Sequence, residues 1–208
     1  MSSKFRIKQS RKPFWQWLQE NETEIFDLLG EDPEQAVQRI AKPFLQDYKN
    51  VFFELSPVME NGKIQFMVSA DGDKRRFNLV QKIADTAPPF EKFDVVPFKQ
   101  RKPVEFMMEM ELRLGDIAIK ADNVYFFSEL EEQKLDLLLC IEGYDGSDPY
   151  KIGGFILLDG FLGEFDVEEY IGGVDFQALE KNMLFNLEPI WKLPQQVDAL
   201  KRTQIHKR

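Results

Sequence analysis

Apolar and polar residues alternate along much of this chain with a period of two, interrupted by stretches whose apolar spacing is helical. Residues 51–98 read as strand, turn, strand, helix, strand, and residues 124–176 read the same way. Each copy opens on an aromatic strand, Val51-Phe52-Phe53 in one and Val124-Tyr125-Phe126-Phe127 in the other. An alternating strand follows, with Ile64, Phe66, Val68 and Ala70 matched by Leu135, Leu137, Leu139 and Ile141. Each copy then breaks at an acidic glycine loop, Asp71-Gly72-Asp73 or Tyr144-Asp145-Gly146-Ser147-Asp148, enters a helix and returns as a short strand. The matched order predicts two ββαβ repeats.

The flanking segments extend the picture. Phe14, Trp17, Leu18, Ile25, Leu28 and Leu29 form one stripe of a helix over residues 14–29, which Gly30 is placed to end. Asp32-Pro33-Glu34-Gln35 starts a second helix, with Asp32 as cap and Pro33 at the first helical position. That helix buries Val37, Ile40, Phe44 and Tyr48 and is expected to kink at Pro43. Asn61-Gly62 is a hairpin turn. Asp73 is placed to cap a helix over 75–86 that buries Phe77, Val80, Ile83 and Ala84.

Residues 104–114 alternate over a long stretch, with only Met107 out of phase, and predict one half-wet antiparallel strand. Asp148-Pro149 opens the second repeat's helix as a cap followed by proline. Gly153 and Gly154 cost that helix about 1 kcal/mol each and imply a close approach to a neighbour. Residues 179–193 are apolar but interrupted by Pro189 and Pro194, and 197–208 read as a polar tail. Lys4-Phe5-Arg6-Ile7-Lys8 alternates as an edge strand would.

The predicted fold class is therefore α+β: two ββαβ repeats forming antiparallel sheet or sheets, with helices on the faces, behind an N-terminal helical hairpin. The expected organisation is a basic segment over 1–13, a single domain over 14–178 and a C-terminal extension with a basic tail over 179–208. Whether the two repeats share one sheet is open at this level. The extension should be ordered, because Leu184, Phe185, Leu187, Ile190 and Trp191 are too apolar to hang in water. It would wrap the body or join two copies in a homo-oligomer.

Composition narrows the chemistry. At 208 residues, 43% hydrophobic and with 19 Phe, the chain has material for a substantial core. No apolar run reaches the ~20 residues of a spanning helix, and no signal-peptide pattern follows the basic start, so a cytoplasmic location is expected. The single cysteine, Cys140, excludes an internal disulfide and reads as a small packed residue. The only histidine, His206, lies in the tail, which removes Ser-His-Asp, Cys-His and histidine-based zinc chemistry from the body.

Net charge is −9, yet both ends are basic, so the body between is more acidic than the total. An acidic body repels nucleic acid and favours basic partners. Among candidate ligating residues, Asp71, Asp73, Asp145 and Asp148 sit in the two loops, which would occupy equivalent places if a pseudo-twofold axis related the repeats. Paired carboxylates of this kind can hold Mg²⁺ or Ca²⁺. Asp-Gly turns and helix caps also account for all four. No phosphate loop is present: Gly153-Gly154 and Gly172-Gly173 lack the spacing, so no cofactor is expected. Lys74-Arg75-Arg76 opposes the dipole of the helix it starts, and is expected to pair with Asp71 and Asp73 or to bind an anion.

The run Phe14-Trp15-Gln16-Trp17-Leu18-Gln19-Glu20-Asn21-Glu22 resembles the opening of a widespread family of bacterial proteins that begin on a Phe-Trp-x-Trp-Phe-x-x-Asn-Glu helix. Leu157-Leu158-Asp159, with Leu162-Gly163-Glu164-Phe165-Asp166-Val167 ahead of Ile171-Gly172, is similar to that family's last helix and strand. The resemblance spans about residues 14–176. The family has no assigned activity, so it implies no catalytic residue. The functional expectation is a non-catalytic protein whose acidic body binds a basic protein partner, in the manner of an inhibitor or immunity protein. The alternative is a ligand- or metal-binding protein, or an enzyme, with its site between the two repeats.

Overall fold

A computed structural model of the chain describes residues 12–205. The fold is α+β, and the chain divides into two compact units. One takes the chain to Ala70 together with Arg75–Pro97; the other holds Asp71–Lys74 and Phe98–Arg208. The edge strand expected at residues 4–8 and the tail residue His206 lie outside the described residues.

The first unit begins with α1 (Phe14–Glu20), α2 (Glu22–Glu31) and α3 (Pro33–Asp47). The single helix expected over 14–29 is split at Asn21, whose side-chain amide donates to the Trp17 carbonyl at 2.8 Å. Such a local bond ends a helix by offering its last carbonyls a substitute partner. Gly30 does not end α2 but lies inside it; the stop comes at Asp32, whose carboxylate accepts from the Gln35 N–H at 3.0 Å and caps α3. Pro43 lies within α3, and the buried row there is Ala36, Ile40 and Phe44, leaving Val37 exposed contrary to expectation.

The strand-rich part follows as β1 (Phe52–Val58), β2 (Ile64–Ser69), α4 (Phe77–Asp85) and β3 (Phe93–Pro97). Strand β2 is central, antiparallel to β1 and parallel to β3. The β1–β2 turn is the expected one: Asn61 accepts from the Lys63 N–H at 3.0 Å and Gly62 takes φ 77°. Ile64, Phe66 and Val68 are buried along one face of β2. Ring centroids of Phe14, Trp15, Phe44 and Phe53 lie 5.7, 5.5, 5.9 and 5.1 Å from that of Phe66, making an aromatic core. Trp15 closes it by donating its indole N–H to the Ile83 carbonyl of α4 at 3.1 Å. α4 buries the predicted Phe77, Val80, Ile83 and Ala84, but a 3-10 turn (Lys74–Arg76) precedes it and Arg76, not Asp73, occupies its cap position.

The second unit contains α5 (Val104–Glu109), β4 (Glu111–Leu114), β5 (Ile117–Lys120), β6 (Val124–Glu131) and β7 (Lys134–Ile141). It continues with α6 (Asp148–Leu162), α7 (Glu164–Tyr170), β8 (Ile171–Ala178), β9 (Glu188–Pro189) and α8 (Leu193–Ile205). The long strand expected over 104–114 is instead a helix followed by a short strand. Met107 is fully buried, and Glu105 and Glu109 are four apart on the same helix. The main sheet has the order β8-β7-β6-β9, with β6 antiparallel and β8 parallel to β7. Strand order and sense in β6-β7-β8 thus equal those in β1-β2-β3, and the two sheets are separate.

Leu135, Leu137, Leu139 and Ile141 of β7 meet Leu157, Leu158, Phe161 and Leu162 of α6 in a mainly aliphatic core. The α6 glycines permit the approach. A Cβ at Gly153 would stand 2.5 Å from Ile119 Cδ1, and one at Gly154 would stand 2.5 Å from Phe176 Cε1. The expected polar tail is helical: Leu193, Val197 and Leu200 of α8 are buried at helical spacing, and Pro194 takes the second helical position, where its missing N–H costs nothing. The extension packs on its own unit through β9 and Ile190, although Phe185 is 82% exposed rather than covered.

Candidate functional site

Three of the four loop aspartates have a named partner. Asp71, at φ 51°, accepts from Lys99 Nζ at 3.0 Å. Asp73 is engaged within the structure and does not occupy the α4 cap position. Asp145 accepts from the Ser147 N–H at 2.9 Å, and the hydrogen bonds from Ser147 hold its carboxyl below the usual range. Asp148 is the first residue of α6 rather than its cap and lies 3.7 Å from Lys151. Among the described residues no three His, Cys, Asp or Glu side chains are grouped so as to hold a metal ion. Lys74 pairs with Glu169 at 2.8 Å, and Arg76 donates to the Asn50 carbonyl at 2.8 Å.

A second constellation was invisible in the spacing. Residues 99–102 run beside the α6–α7 junction, where Gly163, at φ 80° and ψ 152°, adopts a conformation nearly confined to glycine. A Cβ there would stand 3.0 Å from both Arg101 N and Lys99 O. The next residue, Glu164, is 1% exposed and accepts backbone N–H groups from Gly72 at 3.1 Å and Lys99 at 3.2 Å. Arg101 donates to both oxygens of Asp198 at 3.0 Å and to Asp166 at 3.1 Å, and Lys201 completes the cluster on Asp166. The Asp198 hydrogen bonds push the Arg101 guanidinium up, and Arg101 in turn holds Asp198 down. Each charge is matched by its opposite, so the groove these residues line, about 320 Å³, is a fastening for α8. Its acids and bases are spent on each other.

The outer face of the β6-β7-β8 sheet is different. Side chains alternate across a strand, so with Val124, Phe126, Leu137 and Leu139 in the core the opposite rows point outward. Those rows are Tyr125, Phe127, Glu129 and Glu131 on β6, Lys134, Asp136, Leu138 and Cys140 on β7, and Asp175 and Gln177 on β8. Glu129 stands directly opposite Asp136, and Glu131 stands opposite Lys134. Lys134 does not neutralise that row, because its ammonium donates to the Glu168 and Ile171 carbonyls at 2.7 and 3.1 Å. Asp136 turns to Gly173 and accepts its N–H at 2.7 Å. That bond holds Asp136 below the usual range, while the neighbouring Asp136 carboxylate pushes Glu131 up. Phe127, 44% exposed, lies at the edge of the acidic rows.

Cys140 also belongs to an outward row, yet it is fully buried, and burial pushes its thiol up and away from nucleophilic use. No family model matches the chain, and no curated protein or solved structure matches it. Among the described residues no helix is long and apolar enough to cross a membrane.

Proposed function

We propose that this is a non-catalytic interaction protein that binds a basic protein partner on the outer face of the β6-β7-β8 sheet. The observation that carries the reading is the cross-strand opposition of Glu129 and Asp136 within an acidic row whose one cation, Lys134, is spent on backbone carbonyls. Like charges opposite each other in a sheet are destabilising. A face that keeps them, beside an exposed aromatic, suits a ligand of opposite charge. On this reading the shared ββαβ topology reflects an internal repeat, one copy of which has been given the binding face, and the protein works in the cytoplasm.

The test is comparative capture. The wild type and a variant carrying Glu129→Gln, Glu131→Gln, Asp136→Asn and Asp175→Asn are immobilised and exposed to extract of the source organism. The expected result is a small set of basic proteins, identified by mass spectrometry, that elute as salt rises and are absent from the variant. Capture that is indifferent to salt, or unchanged in the variant, overturns the proposal.

A further inference from the structure

The acidic face ends at a sheet edge, and that edge is built differently from the others. Among the described residues strand β8 is terminal in its sheet, with β7 on one side only. At the opposite margin β9 pairs with Tyr125 and Phe126 of β6. In the other sheet, β1 carries Pro57 and a bulge and β3 ends on Pro97, devices that blunt an edge against pairing. Beyond a bulge at its start, β8 offers Val174-Asp175-Phe176-Gln177-Ala178 with neither proline nor lysine.

The direction of the free backbone groups follows from bonds already made. Gly173 N–H donates to Asp136 and Leu179 N–H donates to the Ile141 carbonyl, so both point toward β7. By alternation the N–H groups of Val174, Phe176 and Ala178 point away from the sheet. Side chains flank that edge in two kinds. On the outer face stand Asp175 and, one strand in, Asp136. On the inner face, α6 runs beside β8, with Phe155 against Phe176 at 5.5 Å between ring centroids. The same side of α6 leaves Ile152 52% and Phe155 47% exposed, with Ile156 next to them. Gly154 makes this possible by letting the helix lie directly on Phe176.

We infer that the β8 edge binds an extended segment of the partner as an added strand, one whose residues alternate between basic and apolar. Its basic side chains lie over Asp175 and Asp136, its apolar ones over Phe176, Phe155 and Ile152, and its backbone takes the free groups of Val174, Phe176 and Ala178. Main-chain bonds of this kind give affinity, and the two unlike faces give register and specificity. The inference rests on the acidic-face reading, since the same carboxylates supply the charge, and it adds the form of the ligand.

The probe is a fluorescent nonapeptide, Lys-Val-Lys-Val-Lys-Phe-Lys-Val-Lys, titrated against the full chain by anisotropy. Its controls are a block peptide of identical composition and two versions N-methylated on alternate residues in opposite phases. The expected result is saturable binding of the alternating peptide, at least about tenfold tighter than the block peptide. One N-methylated phase should lose binding and the other should keep it, because only one edge of the peptide faces β8. Phe155→Ser, at an exposed position, should weaken the alternating peptide about tenfold and leave the block peptide unchanged.

Equal binding of both N-methylated forms, or of the block peptide, overturns the added strand while leaving the acidic face as the binding surface. No binding of any peptide, with salt-sensitive capture of basic proteins intact, also overturns it. A dimer of the chain that the alternating peptide dissociates would give the edge to a second copy and overturn it as well. Loss of both peptide binding and capture would remove the acidic-face reading itself.

Discussion

The two ββαβ segments have one strand order and two different surfaces. In β1-β2-β3 the outward rows are Phe52 and Glu54, Gln65 and Met67, Asp94 and Val96, and Asp94 is held by Lys63 at 3.1 Å and by Asn61 at 2.9 Å. In β6-β7-β8 the corresponding rows gather Glu129, Glu131, Asp136 and Asp175. A topology that tolerates a mixed, compensated face in one place does not require an acidic one in the other. The acids of the second sheet are thus a property laid on the fold rather than one it requires. The cores differ as well: interlocked aromatics dominate the first unit, whereas in the second Phe126 and Phe161 lie among a majority of aliphatic side chains.

The largest effects should come from the two central strands. Phe66→Ala removes the ring on which five others converge and is expected to cost about 3–5 kcal/mol, against about 2–5 kcal/mol for Leu139→Ala at the centre of β7. Urea unfolding of each variant measures the loss. A change below about 1 kcal/mol in either would mean that its sheet is not the centre of its unit.

Glycines separate the units further. Gly163→Ala forces a methyl against backbone at a positive φ and should cost about 3 kcal/mol. Gly30→Ala, in α2 with open space around it, should stabilise by about 0.5–1 kcal/mol. Opposite signs in the urea midpoint are the expected outcome. Equal signs would contradict the two backbone settings described above.

A smaller effect is expected at the fastening of α8. Arg101→Met leaves Asp166 and Asp198 with Lys201 alone and should cost about 1–2 kcal/mol near neutral pH. Asp198 is held below its ordinary value, so the stability it contributes is full above the unfolded aspartate range and disappears as pH falls through the depressed value. The gap between wild type and variant should therefore close on acidification below about pH 4. A gap that stays constant would show that Arg101 acts through packing alone.

What the chain disclosed beforehand followed from periodicity. The strands of both segments, the Asn61-Gly62 turn, the buried face of α4 and the close approach of Gly153 and Gly154 all rest on local spacing or on one residue's conformational freedom. The errors arose where two periods fit the same letters. Residues 104–109 satisfy both alternation and an i, i+4 pattern, and only the burial of Met107 decides between them. Pro194 read as a stop because proline ends helices from within, whereas here it stands in the first turn of α8. The Arg101, Asp166, Asp198 and Lys201 cluster joins three distant stretches, and no spacing announces it. The acidic face was legible only as the net charge of the body: the run 128–132 reads as a polar turn between strands, whereas β6 continues to Glu131 and its register puts Glu129 opposite Asp136.

The smallest effect has the most informative sign. Replacing Glu131 by Gln removes a carboxylate from the row without adding a contact, and the urea midpoint is expected to rise slightly at pH 7. Glu131 is pushed above its ordinary value by Asp136, so the folded chain takes up a proton there more readily than the unfolded one. Its contribution is thus fully present below the unfolded glutamate pKa and is lost as pH rises through the raised value. The wild type should lose stability relative to Glu131→Gln over that window and run parallel to it above. Asp94→Asn, on the other sheet, should lower the midpoint instead, because it takes a partner from Lys63. If both substitutions destabilise, the acids of the second sheet are held by the fold as those of the first are, and the contrast between the two faces disappears.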